Sequence, residues 1–411
     1  MTDPSRPDCE QLVVVLVGLP ARGKSYVARK IVRYLSWLGW TTRTFNVGAY
    51  RRARLGAHHR EAFFSPDNTE GLRQRQAIAD AALNDLIAWM QAGGAVGIYD
   101  ATNTTKMRRD RIRAELAKAG LQPLFIETIC EDPTLVATNI RQNKLNSPDY
   151  AGVSDDEAVA DFRKRIAHYE RAYEPLGAGE SSYVKFIDVG RRIEIDGLRG
   201  YLPGKLLFFL MNTHLERRPV WLTRHGESAY NQIGRIGGDT TLTAQGEAYA
   251  KAVATFMQCR LAGTKQPAVF TSTLRRTRQT AAHLPLIPVA WRLLDEIDAG
   301  VCDGLTYAEI GERYPDEFAA RQADKLHYRY PCGESYVDVI QRLEPVLLEI
   351  ERERSPVLVV AHQAVIRALY GYFKGLQPDE VPHLEVPLHT IIELRAGPYG
   401  LDEERFPLLE Q

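Results

Sequence analysis

The sequence predicts an α/β protein made of two doubly wound domains. Short β-branched runs alternate with amphipathic helical patterns in both halves of the 411-residue chain, which is typical of βαβ units around mainly parallel sheets. No internal repeat relates the halves, so we expect two different folds rather than a duplication. The polar stretch 212–218 separates them and predicts domains of 1–217 and 218–411.

In the first half, each apolar run is followed by a helical pattern. The run 12–17 predicts the first strand, and Val27, Ile31, Leu35 and Leu38 then follow a helical period that stops at Gly39. Further strands are predicted at 42–47, 95–99, 123–129, 183–188 and 206–211. Further helices are predicted at 70–90, 106–119, 133–143 and 155–173.

The second half begins another alternating block. A strand at 219–223 leads directly into Arg224-His225-Gly226. The later strands are predicted at 268–271 and 356–361, and the helices at 243–259, 274–283 and 334–352. This pattern again predicts helices layered on a sheet.

Composition excludes several classes of protein. Lys plus Arg and Asp plus Glu each number 52, so the chain has no net charge that favours nucleic acid or an anionic membrane. The five cysteines never form CxxC, which argues against a disulfide framework and a zinc site, and no apolar run resembles a signal peptide or membrane span. We therefore expect a cytoplasmic protein that binds neither nucleic acid nor membranes.

The stretch from Gly18 to Ser25 has the GxxxxGK[ST] spacing of a phosphate-binding loop. Gly18 and Gly23 let backbone N–H groups turn towards phosphates, Lys24 adds positive charge, and the Ser25 hydroxyl is suited to ligate Mg²⁺. A strand before the loop and a helix after it provide the context that this motif requires. The sequence thus predicts a nucleoside triphosphate site.

Several polar residues accompany this loop. Asp100 ends the strand 95–99, where an acid either holds Mg²⁺, accepts a proton from an acceptor hydroxyl, or merely caps the next helix. Thr102 and its neighbours either contact a ligand or begin that helix. Basic residues suited to a phosphorylated acceptor, or else simply solvated, recur at Arg51, Arg52, Arg75, Lys144 and at Arg165 beside Tyr169.

In the second half, two histidines follow two predicted strands. His225 and His362 each lie at the carboxyl end of a strand, so one pocket is expected to bring them together. With Arg224 beside it, the His225 imidazole is placed to attack phosphorus, although both histidines also suit a structural role. Arg276 follows another strand and is suited to bind the same phosphoryl group. Glu296 is a candidate general acid, but spacing does not separate it from Asp295 and Asp298.

At these residues the chain resembles a known family. The stretches that carry the resemblance span nearly the whole chain in one order: GLPARGKSY, FNVGAYRR, FFSPDN, DATNTT, NIRQNKLNSPDY, LTRHGESAYN, IGGDTTLTAQG, EIDAGVCDGLTYAEI, YRYPCGESY and AHQAVIR. They are similar to the bifunctional 6-phosphofructo-2-kinase/fructose-2,6-bisphosphatase family. The resemblance implies a P-loop kinase fused to a histidine phosphatase of the phosphoglycerate-mutase superfamily, acting on fructose 6-phosphate and fructose 2,6-bisphosphate, commonly as a homodimer.

In the first half the resemblance implies a role for each motif residue. It implies that Mg-ATP and the transferred phosphoryl group are handled by Gly18 to Ser25, Asp100 and Lys144, with Ser25 and Asp100 on the metal and Asn139 and Cys130 near the nucleotide. It implies that fructose 6-phosphate is held by Arg51, Arg75, Thr102, Arg165 and Tyr169.

In the second half the resemblance implies that His225 is the nucleophile and Glu296, rather than its acidic neighbours, the acid. The residues that it places around the 2-phosphoryl group are Arg224, Asn231, Arg276, His362 and Gln363. The residues that it places on the sugar and its 6-phosphate are Tyr307, Arg321, Lys325, Arg329 and Tyr336.

Two alternatives to a fully bifunctional enzyme stay open at this point. In the first, either the kinase or the phosphatase activity dominates strongly. In the second, the kinase half serves as an ATP-sensing or dimerising module. Arginines recognise phosphates well but distinguish sugars poorly, so the sugar rests on the resemblance. Since the first strand begins about ten residues from Met1, we expect almost no counterpart to the long regulatory N-terminal arm of many animal members.

Overall fold

The fold is seen in a computed structural model that describes residues 11–143, 148–180, 182–188, 190–213, 218–261, 266–396 and 401–409. The chain divides into two compact units after Met211, with Ser36–Gly39 grouped with the second unit. Each unit contains its own six-stranded sheet. The predicted fold class, two α/β domains, is confirmed.

The first unit is built on a sheet with the strand order β2-β3-β1-β4-β5-β6. Its strands are β1 (Leu12–Val17), β2 (Thr42–Asn46), β3 (Val96–Asp100), β4 (Pro123–Ile129), β5 (Tyr183–Ile187) and β6 (Arg192–Asp196). β1 to β5 pair in parallel and β6 is antiparallel to β5. All six residues of the central β1 are buried, as expected for an apolar strand covered on both faces.

Helices connect these strands. They are α1 (Lys24–Trp37), α2 (Val47–Leu55), α3 (Thr69–Gln91), α4 (Lys106–Lys118), α5 (Pro133–Asn143), α6 (Asp155–Glu170) and α7 (Tyr201–Met211). Asn46 caps α2, Asn68 caps α3 and Thr105 caps α4, each accepting a backbone N–H through its side chain. None of the described helices is long and apolar enough to cross a membrane.

The second unit has a mixed sheet with the order β12-β11-β7-β10-β8-β9. Its strands are β7 (Pro219–Arg224), β8 (Ala268–Thr271), β9 (Val289–Ala290), β10 (Val357–Ala361), β11 (Thr390–Ala396) and β12 (Leu401–Pro407). Its helices are α8 (Ala229–Gln232), α9 (Ala244–Leu261), α10 (Arg275–Ala281), α11 (Tyr307–Arg313), α12 (Pro315–Ala323), α13 (Tyr336–Arg352) and α14 (Gln363–Lys374). β7, β10, β8 and β9 pair in parallel, which places their carboxyl ends at one edge.

One predicted element is wrong. Residues 206–211 were expected to form a strand, but they form the last part of helix α7. Its buried residues Leu202, Leu206, Phe209 and Leu210 follow a helical period. Leu202 lies outside the apolar run 206–211, so the run alone does not contain the full pattern. A short apolar run does not distinguish a strand from a buried helix, because a run of apolar residues fits either structure when both of its faces are covered.

A buried ion pair joins the start of α4 to the loop before β5. Arg109 and Glu180 are both buried, and the guanidinium donates to both carboxylate oxygens at 2.6 and 3.0 Å. Arg109 also donates to the Glu174 carbonyl at 2.8 Å. The N–H groups of Arg109 therefore form hydrogen bonds with protein acceptors in place of those that they lose with water on burial.

Replacement of Glu180 by alanine is expected to destabilise the first unit by about 3 kcal/mol, because it leaves the Arg109 charge buried without its partner. Urea denaturation of the full chain followed by circular dichroism measures the change. Glu115 pairs with Lys118 on the surface at 2.8 Å, so Glu115→Ala is the matched control, with an expected change within about 0.5 kcal/mol. Equal changes in the two variants would contradict the argument.

Candidate functional sites

The phosphate-binding loop lies between β1 and α1. Gly18 has a φ of +133°, and a Cβ atom there would lie 2.5 Å from the Thr128 carbonyl oxygen. No other residue type therefore fits without a shift of the backbone. The Gly18 N–H donates to the Thr102 carbonyl at 2.9 Å, which attaches the loop to the segment after β3.

Lys24 and Ser25 begin α1 at the end of this loop. The buried Lys24 donates through Nζ to the carbonyl oxygens of Gly18 (2.7 Å) and Leu19 (2.6 Å). Ser25 donates through Oγ to Oδ2 of Asp100 at 3.0 Å. The loop thus carries an ammonium group, and a hydroxyl and a carboxylate lie side by side next to it.

The other residues that the resemblance assigns to the nucleotide lie immediately after β4 and on α5. Asn139 donates through Nδ2 to the Ala21 carbonyl of the loop at 3.2 Å. Cys130 is buried, and burial raises the pKa of its thiol, so the thiol is protonated at neutral pH. Lys144 lies outside the described residues.

A cluster of arginines surrounds the ring of Phe64. The guanidinium of Arg165 lies 3.5 Å from the ring centroid, that of Arg51 5.5 Å and that of Arg75 5.9 Å, and the Tyr169 ring lies 6.3 Å away. The structure thus brings together Arg51 from α2, Arg75 from α3, and Arg165 and Tyr169 from α6. Their arrangement around one aromatic face combines cation–π contacts with a high local positive charge.

The buried carboxylate of Asp149 offsets part of this charge. Its Oδ2 accepts a short hydrogen bond from Arg51 and lies 4.0 Å from guanidinium nitrogens of both Arg52 and Arg165. Nε and Nη1 of Arg51 and Nε of Arg165 are buried and have no hydrogen-bond partner among the described residues. Buried donors of this kind need an acceptor, and an anionic ligand would supply it.

In the second unit, two histidines meet at the carboxyl ends of neighbouring strands. β7 ends at Arg224 and β10 at Ala361, and these two residues are partners in the register. His225 donates its backbone N–H to the Ala361 carbonyl at 2.9 Å. The His225 and His362 rings, both buried, lie 5.1 Å apart between centroids.

The contacts of His225 determine its protonation state. Nδ1 lies 2.7 Å from the Gly226 carbonyl oxygen, which only accepts, so Nδ1 carries the proton and Nε2 has the free electron pair. Burial, together with Arg276 and Arg224, holds the pKa of His225 well below its ordinary value. His225 is therefore a neutral imidazole with Nε2 available as a nucleophile.

A chain of hydroxyl groups orients His362. Thr277 Oγ1 lies 2.8 Å from the Leu274 carbonyl oxygen and 2.8 Å from Ser272 Oγ. Ser272 Oγ in turn lies 2.7 Å from His362 Nε2, which holds the imidazole ring in one orientation. Burial and neighbouring charges, with Arg276 the largest, hold the pKa of His362 well below its ordinary value, so the ring is neutral.

Two arginines and one acid complete this end of the site. Arg224 and Arg276 are largely buried, and burial lowers the pKa of each below its ordinary value. The nearby Glu296 carboxylate offsets part of this shift. The Glu296 carboxylate accepts backbone N–H groups of Ile297 (2.9 Å), Gln363 (3.0 Å) and Ala364 (3.2 Å). Of the three acids that spacing left open, Glu296 lines the cavity, whereas Asp295 binds Thr273 at the surface.

The cavity beside His225 is strongly basic. The described cationic residues that line it are Arg224, Arg235, Arg276, Arg321, Lys325 and Arg367, against the one carboxylate of Glu296. Asn231 also lines it, and because its Oδ1 accepts from the Ser228 N–H at 2.9 Å, its Nδ2 remains as a donor. Such a cavity is suited to a ligand with more than one negative charge.

The remaining assigned residues lie further along the same cavity, with one exception. Arg321 lies over the Tyr307 ring at 4.8 Å, Lys325 donates to the Pro382 carbonyl at 2.8 Å, and Tyr336 and Gln363 also line the cavity. Arg329 is not among the lining residues. It is exposed and pairs with Asp338.

Sequence reasoning missed several lining residues. Arg367 ends the quoted stretch AHQAVIR but received no role, although it lies four residues after Gln363 on α14 and therefore on the same helical face. It donates to Tyr336 Oη at 3.1 Å. Ser228, Tyr230, Arg235, Tyr328 and Tyr330 also line the cavity without a predicted role. In the first unit, sequence reasoning assigned no role to Phe64, whose ring lies under Arg165.

Comparison with known families divides the chain into two parts. Residues 3–217 match the family described as 6-phosphofructo-2-kinase. Residues 220–406 match the family described as histidine phosphatase superfamily (branch 1). The two matches together cover both sites described above.

Individual proteins are similar over nearly the whole chain. The 6-phosphofructo-2-kinase/fructose-2,6-bisphosphatase of Arabidopsis thaliana is 51% identical over 97% of this chain, and this chain covers 54% of that protein. The Gallus gallus protein of the same name is 46% identical over 98% of this chain and 86% of its own length. The 6-phosphofructo-2-kinase/fructose-2,6-bisphosphatase 3 of Rattus norvegicus is 45% identical, with coverages of 94% and 70%.

Proposed function

Because the chain belongs to the 6-phosphofructo-2-kinase/fructose-2,6-bisphosphatase family, we propose that it both makes and degrades fructose 2,6-bisphosphate. The observation that carries the proposal is the pair of separate sites. One has a P-loop lysine beside an Asp–Ser pair, and the other has a neutral histidine in a basic cavity. The first suits transfer of a phosphoryl group from ATP, and the second suits its removal.

The first site fits Mg-ATP. The loop offers backbone N–H groups and Lys24 to the phosphates, and the oxygens of Ser25 and Asp100, 3.0 Å apart, are the hard ligands that Mg²⁺ prefers. Bound Mg-ATP supplies the phosphoryl group and neutralises part of its charge. Lys24 exchanges its contacts with the Gly18 and Leu19 carbonyls for phosphate oxygens.

The arginine cluster around Phe64 then binds the phosphate of fructose 6-phosphate. The unpartnered N–H groups of Arg51 and Arg165 donate to it, with Arg75 and Tyr169 alongside. Thr102 lies two residues after Asp100 at the end of β3, and its carbonyl accepts the Gly18 N–H of the P-loop at 2.9 Å. Asp100 accepts the proton of the sugar 2-hydroxyl as that oxygen attacks the γ-phosphorus of ATP, while the bond from this phosphorus to the β-phosphate oxygen breaks and ADP leaves.

In the second site the reaction runs through His225. Its Nε2 attacks the 2-phosphoryl group, forming an N–P bond while the bond from phosphorus to the sugar oxygen breaks. Glu296 gives a proton to that oxygen, and Arg224, Arg276 and Asn231 stabilise the charge on the phosphoryl oxygens. Water then attacks phosphorus and gives a proton to the Glu296 carboxylate while the N–P bond breaks, which releases phosphate and restores the neutral histidine.

The far part of the cavity holds the sugar 6-phosphate in this proposal. Arg321, Lys325 and Arg367 supply the positive charge, and Tyr307 and Tyr336 supply hydroxyl groups. Because Arg367 also donates to the Leu384 carbonyl at 2.6 Å, its guanidinium is held in one orientation. This second anion site favours a bisphosphate over a monophosphate.

A labelling experiment tests the proposed reactions. Incubation with fructose 2,6-bisphosphate labelled in the 2-phosphoryl group, followed by rapid quenching at alkaline pH, is expected to trap label on His225. Label on any other residue would overturn the phosphatase mechanism. Failure to form an acid-labile product from fructose 6-phosphate and Mg-ATP would overturn the kinase half.

The affinity for fructose 2,6-bisphosphate is expected to fall above pH 8. Burial, together with Arg367 and Arg321, lowers the pKa of Lys325 to about 8, so its ammonium group is charged below that pH and neutral above it. Loss of one charged hydrogen bond to the 6-phosphate should raise KM about tenfold between pH 7 and pH 9.5. Measurement of KM across this range checks the expectation.

Lys325→Arg is the matched control for this pH dependence, because arginine stays charged over the whole range. Its KM is expected to be nearly constant from pH 7 to pH 9.5. The same rise in KM in both proteins would show that Lys325 does not cause it.

The homodimer and the cytoplasmic location implied by the family are also part of the proposal. The chain has a mass of 46.3 kDa, so light scattering of the purified protein is expected to give twice that mass. The balance of charges on the chain agrees with partners that are small phosphorylated sugars rather than nucleic acid.

A further inference from the structure

Asn46 joins two parts of the proposed kinase site. It is the last residue of β2 and the residue immediately before α2, the helix that carries Arg51. Its side chain caps this helix, with Oδ1 accepting the Ala49 N–H at 2.8 Å. On its other side, Nδ2 donates to Oδ2 of Asp100 at 2.5 Å.

These two contacts determine the orientation of the Asn46 amide. The Ala49 N–H only donates, so it must face the amide oxygen, and the carboxylate accepts from the amide nitrogen on the other side. With the amide turned round, both contacts would be lost. The side chain is therefore held between the helix and Asp100.

The sheet explains why these side chains meet. β2 and β3 are parallel neighbours, and Asn46 and Asp100 are partners in their register. Paired positions on adjacent strands project their side chains to the same face. The strand passes directly into α2 after Asn46, so the residue that caps the helix also reaches the Asp100 carboxylate.

The contacts of Asp100 are distributed unevenly between its two oxygens. Oδ2 accepts from both Asn46 and Ser25, whereas no described residue donates to Oδ1. The two donors on Oδ2 keep the carboxylate from rotating. Oδ1 is left to accept the proton of the sugar 2-hydroxyl. Asp100 is buried, so solvent does not supply an equivalent donor.

We propose that Asn46 is a positioning residue of the kinase reaction, which holds the Asp100 carboxylate through its amide N–H while it holds the start of α2 through its amide oxygen. The inference rests on the proposed kinase function. It predicts that the two contacts have separable effects, because one positions the acid and the other positions the helix with the acceptor-binding arginines.

Two substitutions remove the contact with Asp100 and keep the cap. Serine and aspartate both cap helices as asparagine does, but serine is too short to reach Asp100 and aspartate has no N–H to donate. For Asn46→Ser and Asn46→Asp we expect kcat of the kinase to fall at least about tenfold, because the acid is no longer held in register with the acceptor. The KM for fructose 6-phosphate is expected to stay near its original value in both variants. The thermal midpoint is expected to stay near its original value in Asn46→Ser and to fall in Asn46→Asp, where two carboxylates face each other.

Asn46→Ala removes both contacts and provides the contrast. It is expected to show the same loss of kcat, a higher KM for fructose 6-phosphate, and a thermal midpoint lower by about 2–4 °C because the cap of α2 is lost. Asn84→Ser, at an exposed position of α3, is the matched control and should match the original protein in all three measurements. Original kcat in both the serine and aspartate variants would overturn the proposal.

A binding measurement separates this inference from the proposed kinase function. If the original protein makes no product, the proposed kinase function is wrong. In that case, titration with Mn²⁺ in the presence of a non-hydrolysable ATP analogue still tests whether Asn46 holds Asp100. Mn²⁺ is expected to bind about tenfold more weakly to Asn46→Ser, since Asp100 is no longer held beside Ser25. Equal Mn²⁺ affinity in the two proteins would overturn the inference.

Discussion

Replacement of His225 by alanine is expected to lower kcat of fructose 2,6-bisphosphate hydrolysis by about 10⁴-fold or more, because the group that accepts the phosphoryl group is removed. Nε2 of His225 holds a free electron pair, since Nδ1 donates to the Gly226 carbonyl, and burial keeps the ring neutral. The cationic side chains that line the cavity have no free electron pair, so none of them can replace His225 as the nucleophile. Steady-state hydrolysis of labelled substrate measures the loss.

The kinase activity of His225→Ala serves as a control for folding, and it is expected to be unchanged. His283→Ala is the matched control, because His283 is a partly exposed histidine of the same unit that pairs with Glu247. Hydrolysis at the original rate by His225→Ala, with a phosphoenzyme still formed, would contradict the assignment of the nucleophile.

Replacement of Lys24 by methionine is expected to lower kcat of the kinase by about 10³-fold, because the positive charge that stabilises the transferring phosphoryl group is lost. Methionine retains the length of the side chain but not its charge. The buried Nζ already lies within 2.7 Å of the loop carbonyls, so it needs only a small movement to meet phosphate oxygens in their place. Formation of acid-labile fructose 2,6-bisphosphate measures the effect.

Lys118→Met, at an exposed position of α4, is the matched control and is expected to keep full kinase activity. The phosphatase activity of Lys24→Met should also be retained. Comparison of Lys24→Met with His225→Ala also distinguishes the alternatives to a bifunctional enzyme. A Lys24→Met variant that differs from the original protein only in ATP binding would favour an ATP-sensing module.

Local patterns predicted much of the fold. β1 and β4 have the bounds that were expected, because β-branched apolar runs between turn residues leave few other possibilities. The run 206–211 was misread, since its apolar residues are buried along a helix that begins at Tyr201. Short apolar runs do not carry the period that separates the two structures.

The sites show the same division between local and long-range information. Lys24 and His225 could be found because a short motif follows a strand in each case. Arg367 and Phe64 lay within the quoted stretches but had no pattern of their own that indicated a ligand. Arg367 acquires its place from α14 and its contact with Tyr336, and Phe64 from three arginines that approach it from separate parts of the chain.

The sequence by itself determined the two α/β domains, the P-loop and the two strand-end histidines, because each depends on residues that are close together in the chain. Only the tertiary structure decided which nitrogen of His225 is free, how Ser272 orients His362, and that Asn46 holds Asp100. The contacts of Ser272 with His362 and of Asn46 with Asp100 join residues that are far apart in the chain, and the contact of His225 with Gly226 depends on the backbone turn after β7. Such contacts exist only once the strands are in register and the groups are buried.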